Sequence, residues 1–265
     1  MKSGDILEEL TALRRIDAEK RAEEIPFGTM LEKAKAAPAA KDFAASLLKG
    51  GIRIIAELKR ASPSEGMIRE DFRPRELARE LSGAGAAALS VLCEPHRFLG
   101  GEEYLRAARE ECGLPVLYKD FVSTRYQIAA ARAAGADAVL LIAAVLDTEN
   151  LEDLLGFAHG LGMQALVETH DENEIAAAAG CGARIVGVNC RDLRNFSTDV
   201  SLLERLLAKA PARCVRVAES GMHSAEAVAC AKDAGADGFL VGTALMRAQR
   251  PGEKLAELIK GAKRK

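Results

Sequence analysis

Short apolar runs alternate with amphipathic segments along most of the chain. In the amphipathic segments apolar residues recur every three or four positions, as in Tyr126–Ala134 and Leu151–Leu161, which predicts helices. The apolar runs between them are brief and bounded by turn residues, which predicts buried strands. Eight strands are predicted in this way: Arg53–Leu58, Ala87–Leu92, Pro115–Tyr118, Ala138–Ile142, Gln164–Val167, Ile185–Val188, Val215–Ala218 and Gly238–Val241.

The alternation of strands and helices predicts an α/β fold. Strands separated by helices at this spacing form parallel βαβ units, and eight such units close into a (β/α)8 TIM barrel. An open doubly wound sheet is the competing architecture, but it usually has a glycine-rich turn after its first strand. Here Ser62-Pro63-Ser64 occupies that place. A weak repeat, Ala134–Asp137 and Ala234–Asp237, contains glycines expected to end helices in a left-handed conformation.

A purely helical pattern precedes the first strand. The first helix is predicted over residues 6–24, with Asp5 as its cap, and Pro26 and Gly28 are expected to end it. Shorter helices are expected from Thr29 to Ala36 and from Asp42 to Leu48. The apolar positions of the first helix follow a period of 3.6 and are Ile6, Leu7, Leu10, Leu13 and Ile16.

We expect one domain over residues 1–265. Residues 1–48 would form an N-terminal helical extension, and residues 49–265 would form the barrel. The extension has two interpretations, since it is either a simple packing layer or a cap over one mouth of the barrel.

Composition and charge narrow the function classes. The chain of 265 residues is 49% hydrophobic and 29% charged, as soluble globular proteins are. A net charge of −2 and a pI near 6.2 do not indicate the basic surface that is typical of nucleic-acid binding. The longest apolar run, Ala138–Leu146, is far shorter than a membrane span. The six cysteines form no CxxC pair and no apolar signal core is evident, so we expect reduced thiols in a cytoplasmic protein.

The first strand ends in an acid and a base. Glu57 and Lys59 are two residues apart, so on a strand both side chains lie on one face. Leu58 lies on the other face, and the following Ser62-Pro63-Ser64 is expected not to continue a ladder. A purely structural strand does not need this charged exit, which therefore indicates a functional site.

Polar residues follow the other predicted strands as well. The active site of a TIM barrel lies at the C-terminal ends of its strands, and two lysines with three glutamates there suit general acid–base catalysis. A structural ion-pair network is the alternative. The residues at or after the strand exits are Glu57, Lys59, Ser90, Glu94, Phe98, Lys119, Asp120, Phe121, Glu168, Asn189, Arg191, Glu219, Ser220, Gly221, Gly242 and Thr243.

Small residues after the last two strands indicate a phosphate site. Ser220-Gly221 and Gly242-Thr243 occupy the loops that often bind phosphate through backbone N–H groups in barrel enzymes. The Gly242-Thr243 pair is also compatible with a turn followed by a helix cap. The expected ligand class is a phosphorylated small molecule.

No set of metal ligands stands out. The four histidines are scattered without HxH or HxxxH spacing, so no metal is expected. His170 shares a face with Glu168, but we interpret it as a loop histidine. Cys93 and Cys190 have no evident activating base, and we interpret them as packing residues rather than nucleophiles.

Several of these motifs together resemble the indole-3-glycerol phosphate synthase family. The resemblance follows family order from about Ile6 to Arg247, and its first-strand, Lys-Asp-Phe and Asn-x-Arg-Asp-Leu motifs are specific in combination. The matching segments are Glu57–Ser64, Ser90–Pro95, Pro115–Phe121, Val188–Leu193, Ala218–Gly221 and Leu240–Met246.

The resemblance implies a cofactor-free ring closure in tryptophan biosynthesis. Its substrate would be 1-(2-carboxyphenylamino)-1-deoxyribulose 5-phosphate. Lys119 would be the general acid at the ketone oxygen, Glu168 the acid or base of dehydration, Glu57 their support, and Lys59 the partner of a substrate anion. The residues expected around the substrate are Asn189, Arg191, Glu219, Ser220, Phe98, Phe121 and Ser62, and those expected to bind phosphate are Gly221, Gly242 and Thr243.

The chain departs modestly from the family pattern. Thr243 replaces a usual serine, Cys190 a common asparagine, and Tyr118 and Glu65 frequent basic residues, which bears on affinity more than on reaction type. Two rivals are another phosphosugar barrel enzyme, such as phosphoribosylanthranilate isomerase, and a non-catalytic phosphate-binding barrel. That isomerase family would show a cysteine at the first strand exit. Association with other enzymes of the pathway is left open.

Overall fold

Eight parallel strands form a closed barrel in the computed structural model, which describes residues 4–191 and 201–263. The first barrel strand pairs with the second on one side and with the eighth on the other, which closes the ring. This confirms the predicted TIM barrel, and every predicted strand is present within two residues of its expected ends. The strands are β1 (Ile54–Leu58), β2 (Ala88–Leu92), β3 (Val116–Lys119), β4 (Ala138–Ile142), β5 (Gln164–Thr169), β6 (Ile185–Asn189), β7 (Val215–Glu219) and β8 (Gly238–Val241).

Helices precede the barrel and surround it. Within the described ranges, a 3₁₀ turn at Ala143–Val145 adds to them, and no helix is long and apolar enough to cross a membrane. The α-helices are α1 (Gly4–Glu24), α2 (Phe27–Ala36), α3 (Phe43–Leu47), α4 (Pro74–Gly83), α5 (Glu102–Glu111), α6 (Arg125–Ala133), α7 (Thr148–Gly160), α8 (Glu172–Gly180), α9 (Ser201–Leu207), α10 (Ala225–Asp233), α11 (Thr243–Arg247) and α12 (Pro251–Ala262).

The structure differs from the sequence-based predictions near the start of the chain, and it adds a hairpin after β1. Gly28 lies inside α2 and does not end a helix, and Ile25 with the N-cap residue Pro26 separates α1 from α2. Ile16 is 45% exposed rather than part of the buried stripe. The ladder of β1 ends at Leu58 as expected, but Ala61–Ser62 then pairs with Gly66–Met67 in a separate short hairpin. Its turn accommodates Pro63 because proline is favoured at the second position of a β-turn.

Two layers of apolar side chains build the core. Alternate strand residues such as Ile55, Leu117 and Leu166 fill the barrel interior, whereas their neighbours, such as Ile54 and Tyr118, face the surrounding helices. This division follows from the period of two along a strand. The continuous apolar runs of the sequence are therefore strands buried on both faces.

The N-terminal extension contacts both ends of the barrel. On α1, Leu10 joins the inner apolar cluster at the C-terminal mouth, and on α3, Phe43 and Leu47 join the same cluster at the other end. The backbone N–H of Ala44 donates to Gln164 Oε1 at 2.8 Å, at the start of β5. The extension is therefore a cap over one mouth, as one of the two interpretations proposed, and its last helix also plugs the opposite mouth.

The Ala-Gly-Ala-Asp repeat has a structural explanation. Gly135 and Gly235 have φ values of 95° and 96°, which confirms the expected left-handed helix ends. Each aspartate then accepts a hydrogen bond from a neighbouring strand, Asp137 from the Val116 N–H and Asp237 from the Arg216 N–H, both at 2.8 Å. The repeat thus joins consecutive units at the N-terminal face of the barrel.

Candidate active site

A cavity lies at the C-terminal ends of the strands. Helix α1 covers it with Ile6, Leu7 and Leu10, and strand-exit residues form the floor and walls. The structure brings to this cavity all the catalytic, substrate-binding and phosphate-binding residues that the family resemblance implied. They are Glu57, Lys59, Ser62, Phe98, Lys119, Phe121, Glu168, Asn189, Arg191, Glu219, Ser220, Gly221, Gly242 and Thr243.

Lys119 lies at the end of β3 among carboxylates. Its Nζ is 3.2 Å from Glu168 Oε2 and 3.7 Å from Glu219 Oε2. Burial by itself would lower the pKa of Lys119, but the charges of Glu168, Glu219 and Glu57 outweigh it and raise the pKa above its usual value. Lys119 is therefore an ammonium group at neutral pH, with protons directed into the cavity floor.

Glu168, at the end of β5, is held ionised. Burial opposes the charged form, but Lys119 and His170 together bring the pKa of Glu168 well below its usual range. Asn189 Nδ2 donates to Glu168 Oε1 at 3.0 Å, which favours the carboxylate further. The group starts as a base rather than as an acid.

Glu219, at the end of β7, has the opposite character. Burial first, and then the negative charge of Glu168, raise the pKa of Glu219 to about 8, although Lys119 partly opposes this. Its Oε1 has no hydrogen-bond partner among the described residues. Two carboxyl groups beside one lysine therefore differ in protonation at neutral pH, a pattern that separates acid and base roles in active sites.

Glu57 and Lys59 form the ion pair that their spacing suggested. Lys59 Nζ is 2.8 Å from Glu57 Oε1. Burial opposes ionisation of Glu57, but Lys59 and Lys119 bring its pKa below the usual value. The ammonium group of Lys59 lines the cavity, so it can face an anion while it neutralises Glu57.

Two glycines inside the barrel make room for the carboxylates. A Cβ on Gly242 would lie 2.2 Å from Glu57 Oε1, and one on Gly187 would lie 2.1 Å from Glu219 Oε1. Real Cβ atoms do not approach so closely, and an overpacked site has to shift. Gly242 was expected to bind phosphate, and the structure gives it this second reason to be glycine. Gly187 was not singled out in the sequence.

Ser220 and Asn189 form a hydrogen-bonded pair across β7 and β6. Ser220 Oγ donates to Asn189 Oδ1 at 2.7 Å, and the same oxygen accepts from the Arg191 N–H at 3.0 Å. Ser220 has a φ of 62° and Gly221 one of 74°, so the backbone takes a left-handed turn where β7 meets the cavity. This turn is unusual for serine and is the kind of strain found at binding sites.

The remaining walls are apolar or belong to loops. The rings of Phe98 and Phe121 lie 6.1 Å apart at 42°, and both line the cavity. Arg191 Nη1 donates to Ser64 Oγ at 3.2 Å, so the β6 exit contacts the hairpin after β1. Thr243 is the first residue of α11, whose N-cap is Gly242, so Thr243 itself is not a helix cap.

Three exit residues are buried and have structural roles, and of these only Asp120 also lines the cavity. Glu94 is fully buried and accepts hydrogen bonds from the N–H groups of the loop that begins at His96. Asp120 is buried and accepts from Arg14 and from the Tyr118 hydroxyl. Ser90 is completely buried and does not line the cavity.

His170 lies in the bend between β5 and α8, as expected for a loop histidine, but its contacts with two carboxylates were not expected. His170 Nε2 lies 3.4 Å from Glu168 Oε1, and Nδ1 lies 3.3 Å from Glu174 Oε2. The two-residue spacing from Glu168 at the end of a strand was the available signal, but it does not reveal Glu174. Cys93 and Cys190 are buried, and burial raises the pKa of the Cys93 thiol, in agreement with packing roles.

Some of the predicted features fall on residues that the structure does not describe. Asp192 and Leu193 of the Asn-x-Arg-Asp-Leu motif and the side chain of Asp5 lie outside the described residues. Over 4–191 and 201–263, no group of three histidine, cysteine or acidic residues is arranged to hold a metal ion.

The chain matches known proteins over most of its length. The family model described as indole-3-glycerol phosphate synthase matches residues 7–258. Indole-3-glycerol phosphate synthase 2 of Streptomyces coelicolor is 48% identical over 230 residues, covering 87% of this chain and 89% of the relative. The indole-3-glycerol phosphate synthase of Azoarcus sp. is 44% identical over 263 residues, covering 96% and 99%.

Solved structures are similar in fold at low sequence identity. The 3-hexulose-6-phosphate synthase of Salmonella typhimurium has a TM-score of 0.65 at 17% identity, covering 79% of this chain and 98% of its own. Thiamine phosphate pyrophosphorylase of Pyrococcus furiosus has a TM-score of 0.61 at 17% identity, covering 84% and 98%. At this identity the likeness concerns the barrel alone.

Proposed function

The chain belongs to the indole-3-glycerol phosphate synthase family, and from this membership we propose how its cavity closes an indole ring. It is a carboxy-lyase of tryptophan biosynthesis. The substrate is 1-(2-carboxyphenylamino)-1-deoxyribulose 5-phosphate. The ring carbon that bears the carboxylate bonds to the ketone carbon, the bond to the carboxylate breaks and releases carbon dioxide, and the hydroxyl then leaves as water.

Lys119 is the general acid of the first step. The observation that carries the proposal is its position, with Nζ 3.2 Å from Glu168 and 3.7 Å from Glu219 at the floor of a cavity with aromatic walls. The raised pKa keeps a proton on Lys119. That proton neutralises the developing alkoxide when the ring carbon attacks the ketone. Glu219 positions the ammonium group.

Glu168 and Glu57 serve the later proton transfers. Glu168 is ionised, so it accepts a proton from the ring intermediate during dehydration and can return it to the leaving hydroxyl. Glu57 is buried and ionised beside Lys59 and Lys119. Its negative charge balances the positive charges of Lys59 and Lys119 at the cavity floor. In this way Glu57 supports proton transfer by Lys119 and Glu168.

The substrate groups find matching surfaces around this floor. Phe98 and Phe121, whose rings are tilted against each other, offer apolar surface suited to the aryl ring. Lys59 faces one substrate anion, the carboxylate or the phosphate. The groups proposed to hydrogen-bond the substrate are Asn189, Ser220, Arg191 and Ser62, and those proposed around the phosphate are Gly221, Gly242 and Thr243.

The extension and the barrel act as one domain in this proposal, because α1 supplies the roof of the cavity. The partner is the phosphorylated small molecule, with no resident cofactor. No disulfide joins the described cysteines, which fits the cytoplasm.

The test is an assay of the purified chain with the anilino-deoxyribulose phosphate, followed by indole absorbance. We expect turnover by the wild type and a loss of about 10²–10⁴-fold in kcat for Lys119→Met, as for other general acids. Lys232→Met, an exposed lysine on α10, is the control and should retain wild-type kcat. Absence of turnover by the folded wild type would refute the activity, and a Lys119→Met loss below about tenfold would refute the role of Lys119.

A further inference from the structure

His170 is an ionisable residue beside the cavity floor that the proposed function leaves without a role. It follows β5 directly, its side chain is 18% exposed, and it lies between two carboxylates from different elements. Glu168 on β5 faces its Nε2 at 3.4 Å, and Glu174 on α8 faces its Nδ1 at 3.3 Å. A buried imidazole between two carboxylates is stable in this place when it carries a positive charge.

The start of α8 holds this arrangement in place. The Glu174 N–H donates to Asp171 Oδ1 at 2.8 Å, which caps the helix. Glu174 Oε2 in turn accepts from the His170 N–H at 2.7 Å. Glu174 is therefore fixed by the first turn of its helix, in the manner of a capping box, and it orients the imidazole toward Glu168.

The two oxygens of Glu168 have different partners. Oε2 faces Lys119 at 3.2 Å. Oε1 accepts from Asn189 at 3.0 Å and faces His170 at 3.4 Å. Lys119 and His170 are thus positive neighbours of Glu168 that face different oxygens of its carboxylate.

The charge of one of these neighbours changes during the proposed reaction. When Lys119 gives its proton to the ketone oxygen, Glu168 loses the positive charge at Oε2. His170 has its pKa raised to about 10, because both carboxylates outweigh the effect of burial, so it remains an imidazolium. The positive charge at Oε1 then keeps Glu168 ionised until dehydration requires it to accept a proton.

We propose that His170 is a positioning residue that holds Glu168 in place and preserves its charge after Lys119 has lost its proton. This inference rests on the proposed role of Glu168. It assigns the Asp171–Glu174 helix start to the same function, since this segment orients His170.

The pH dependence of kcat tests the proposal. Removing the imidazolium raises the pKa of Glu168, so the acidic limb of the profile should move to higher pH by about one unit in His170→Gln, and kcat measured on that limb should fall by about tenfold. Glu174→Gln should move the limb in the same direction by less, because His170 then has a single carboxylate partner. His159→Gln, on α7 outside the cavity, should leave the profile unchanged.

The outcomes separate this inference from the proposed function. A folded His170→Gln enzyme with an unmoved acidic limb overturns it. Wild-type turnover together with a large loss in Glu168→Gln would still leave the proposed function standing in that case. If the folded wild type shows no turnover, or if Glu168→Gln shows no loss of kcat, the proposed function is overturned and this inference with it.

A measurement on the wild type covers the case in which His170→Gln does not fold. The chain has four histidines, and their ring resonances can be followed by NMR as the pH is raised. We expect one of them to keep its proton beyond pH 9, as the value of about 10 for His170 requires. Titration of all four below about pH 8 would overturn the proposal.

Discussion

Arg14 Nη2 lies 2.7 Å from Asp120 Oδ2, and this contact joins the capping helix α1 to the residue that follows Lys119. Arg14 Nε donates to both oxygens of the same carboxylate, at 2.9 and 3.0 Å, and the Tyr118 hydroxyl donates to it at 2.8 Å. Asp120 is fully buried, and Arg14 is nearly so. The roof of the cavity is therefore fastened to the strand that presents the proposed general acid.

Replacing Arg14 should loosen this roof. Removal of one partner of a buried ion pair leaves the other charge uncompensated and costs about 3 kcal/mol or more, so Arg14→Met should lower the free energy of unfolding in urea by about that amount. KM should rise, because α1 covers the cavity. Arg15→Met changes an exposed neighbour on the same helix and serves as the control. Equal stability of the two variants would contradict the prediction.

Gly242→Ala should disturb Glu57. The added Cβ would lie 2.2 Å from Glu57 Oε1, and overpacking of this kind costs about 1–3 kcal/mol. We expect a corresponding loss of stability and a reduced kcat, measured by urea unfolding and by the indole assay. Gly156→Ala is the matched control, because no atom lies within 4 Å of its added Cβ and it lies within a helix. That change should be neutral or stabilising by up to about 1 kcal/mol.

Glu219→Gln should make stability less sensitive to alkaline pH. The pKa of Glu219 is raised to about 8, so between the ordinary carboxyl range and pH 8 the folded chain binds a proton that the unfolded chain has released. Wild-type stability therefore falls as pH rises through this window. Glutamine does not titrate, so the unfolding free energy of the variant minus that of wild type should increase from pH 5 to pH 9. A constant difference across that range would contradict the assigned shift.

Ser220 separates backbone strain from hydrogen bonding. Its φ of 62° suits glycine, while its hydroxyl donates to Asn189 at 2.7 Å. Ser220→Ala and Ser220→Gly both lose the hydroxyl, but only glycine relieves the left-handed conformation. Thermal unfolding should therefore find Ser220→Gly more stable than Ser220→Ala by about 1 kcal/mol, with similar losses in kcat/KM. The reverse order of stability would show that the turn is not strained.

The barrel could be predicted from the sequence because its determinants are local. Each strand is a short apolar run, and each neighbouring helix has a period near 3.6, so fold class and strand ends follow from segments of ten to fifteen residues. The charged exits such as Glu57 and Lys59 could also be found, because the fold itself brings strand ends together.

The features that the sequence analysis missed depend on contacts between distant segments. Arg14 and Asp120 are 106 residues apart, and nothing near either residue indicates the other. The role of Gly187 depends on a side chain from the next strand, and that of His170 on a carboxylate from α8. Pair distances of this kind are set by packing, whereas sequence periodicity identifies only which face a residue occupies.

Helices α1 and α3 close the two ends of a barrel whose last strand is made nearly 200 residues after α3. Leu47 on α3 lies 3.2 Å from the place of a Cβ on Gly238, the first residue of β8. A chain emerging from the ribosome thus carries its plug and its roof long before the opening that they cover exists. The reaction chamber is therefore complete only when the final strand has joined the first.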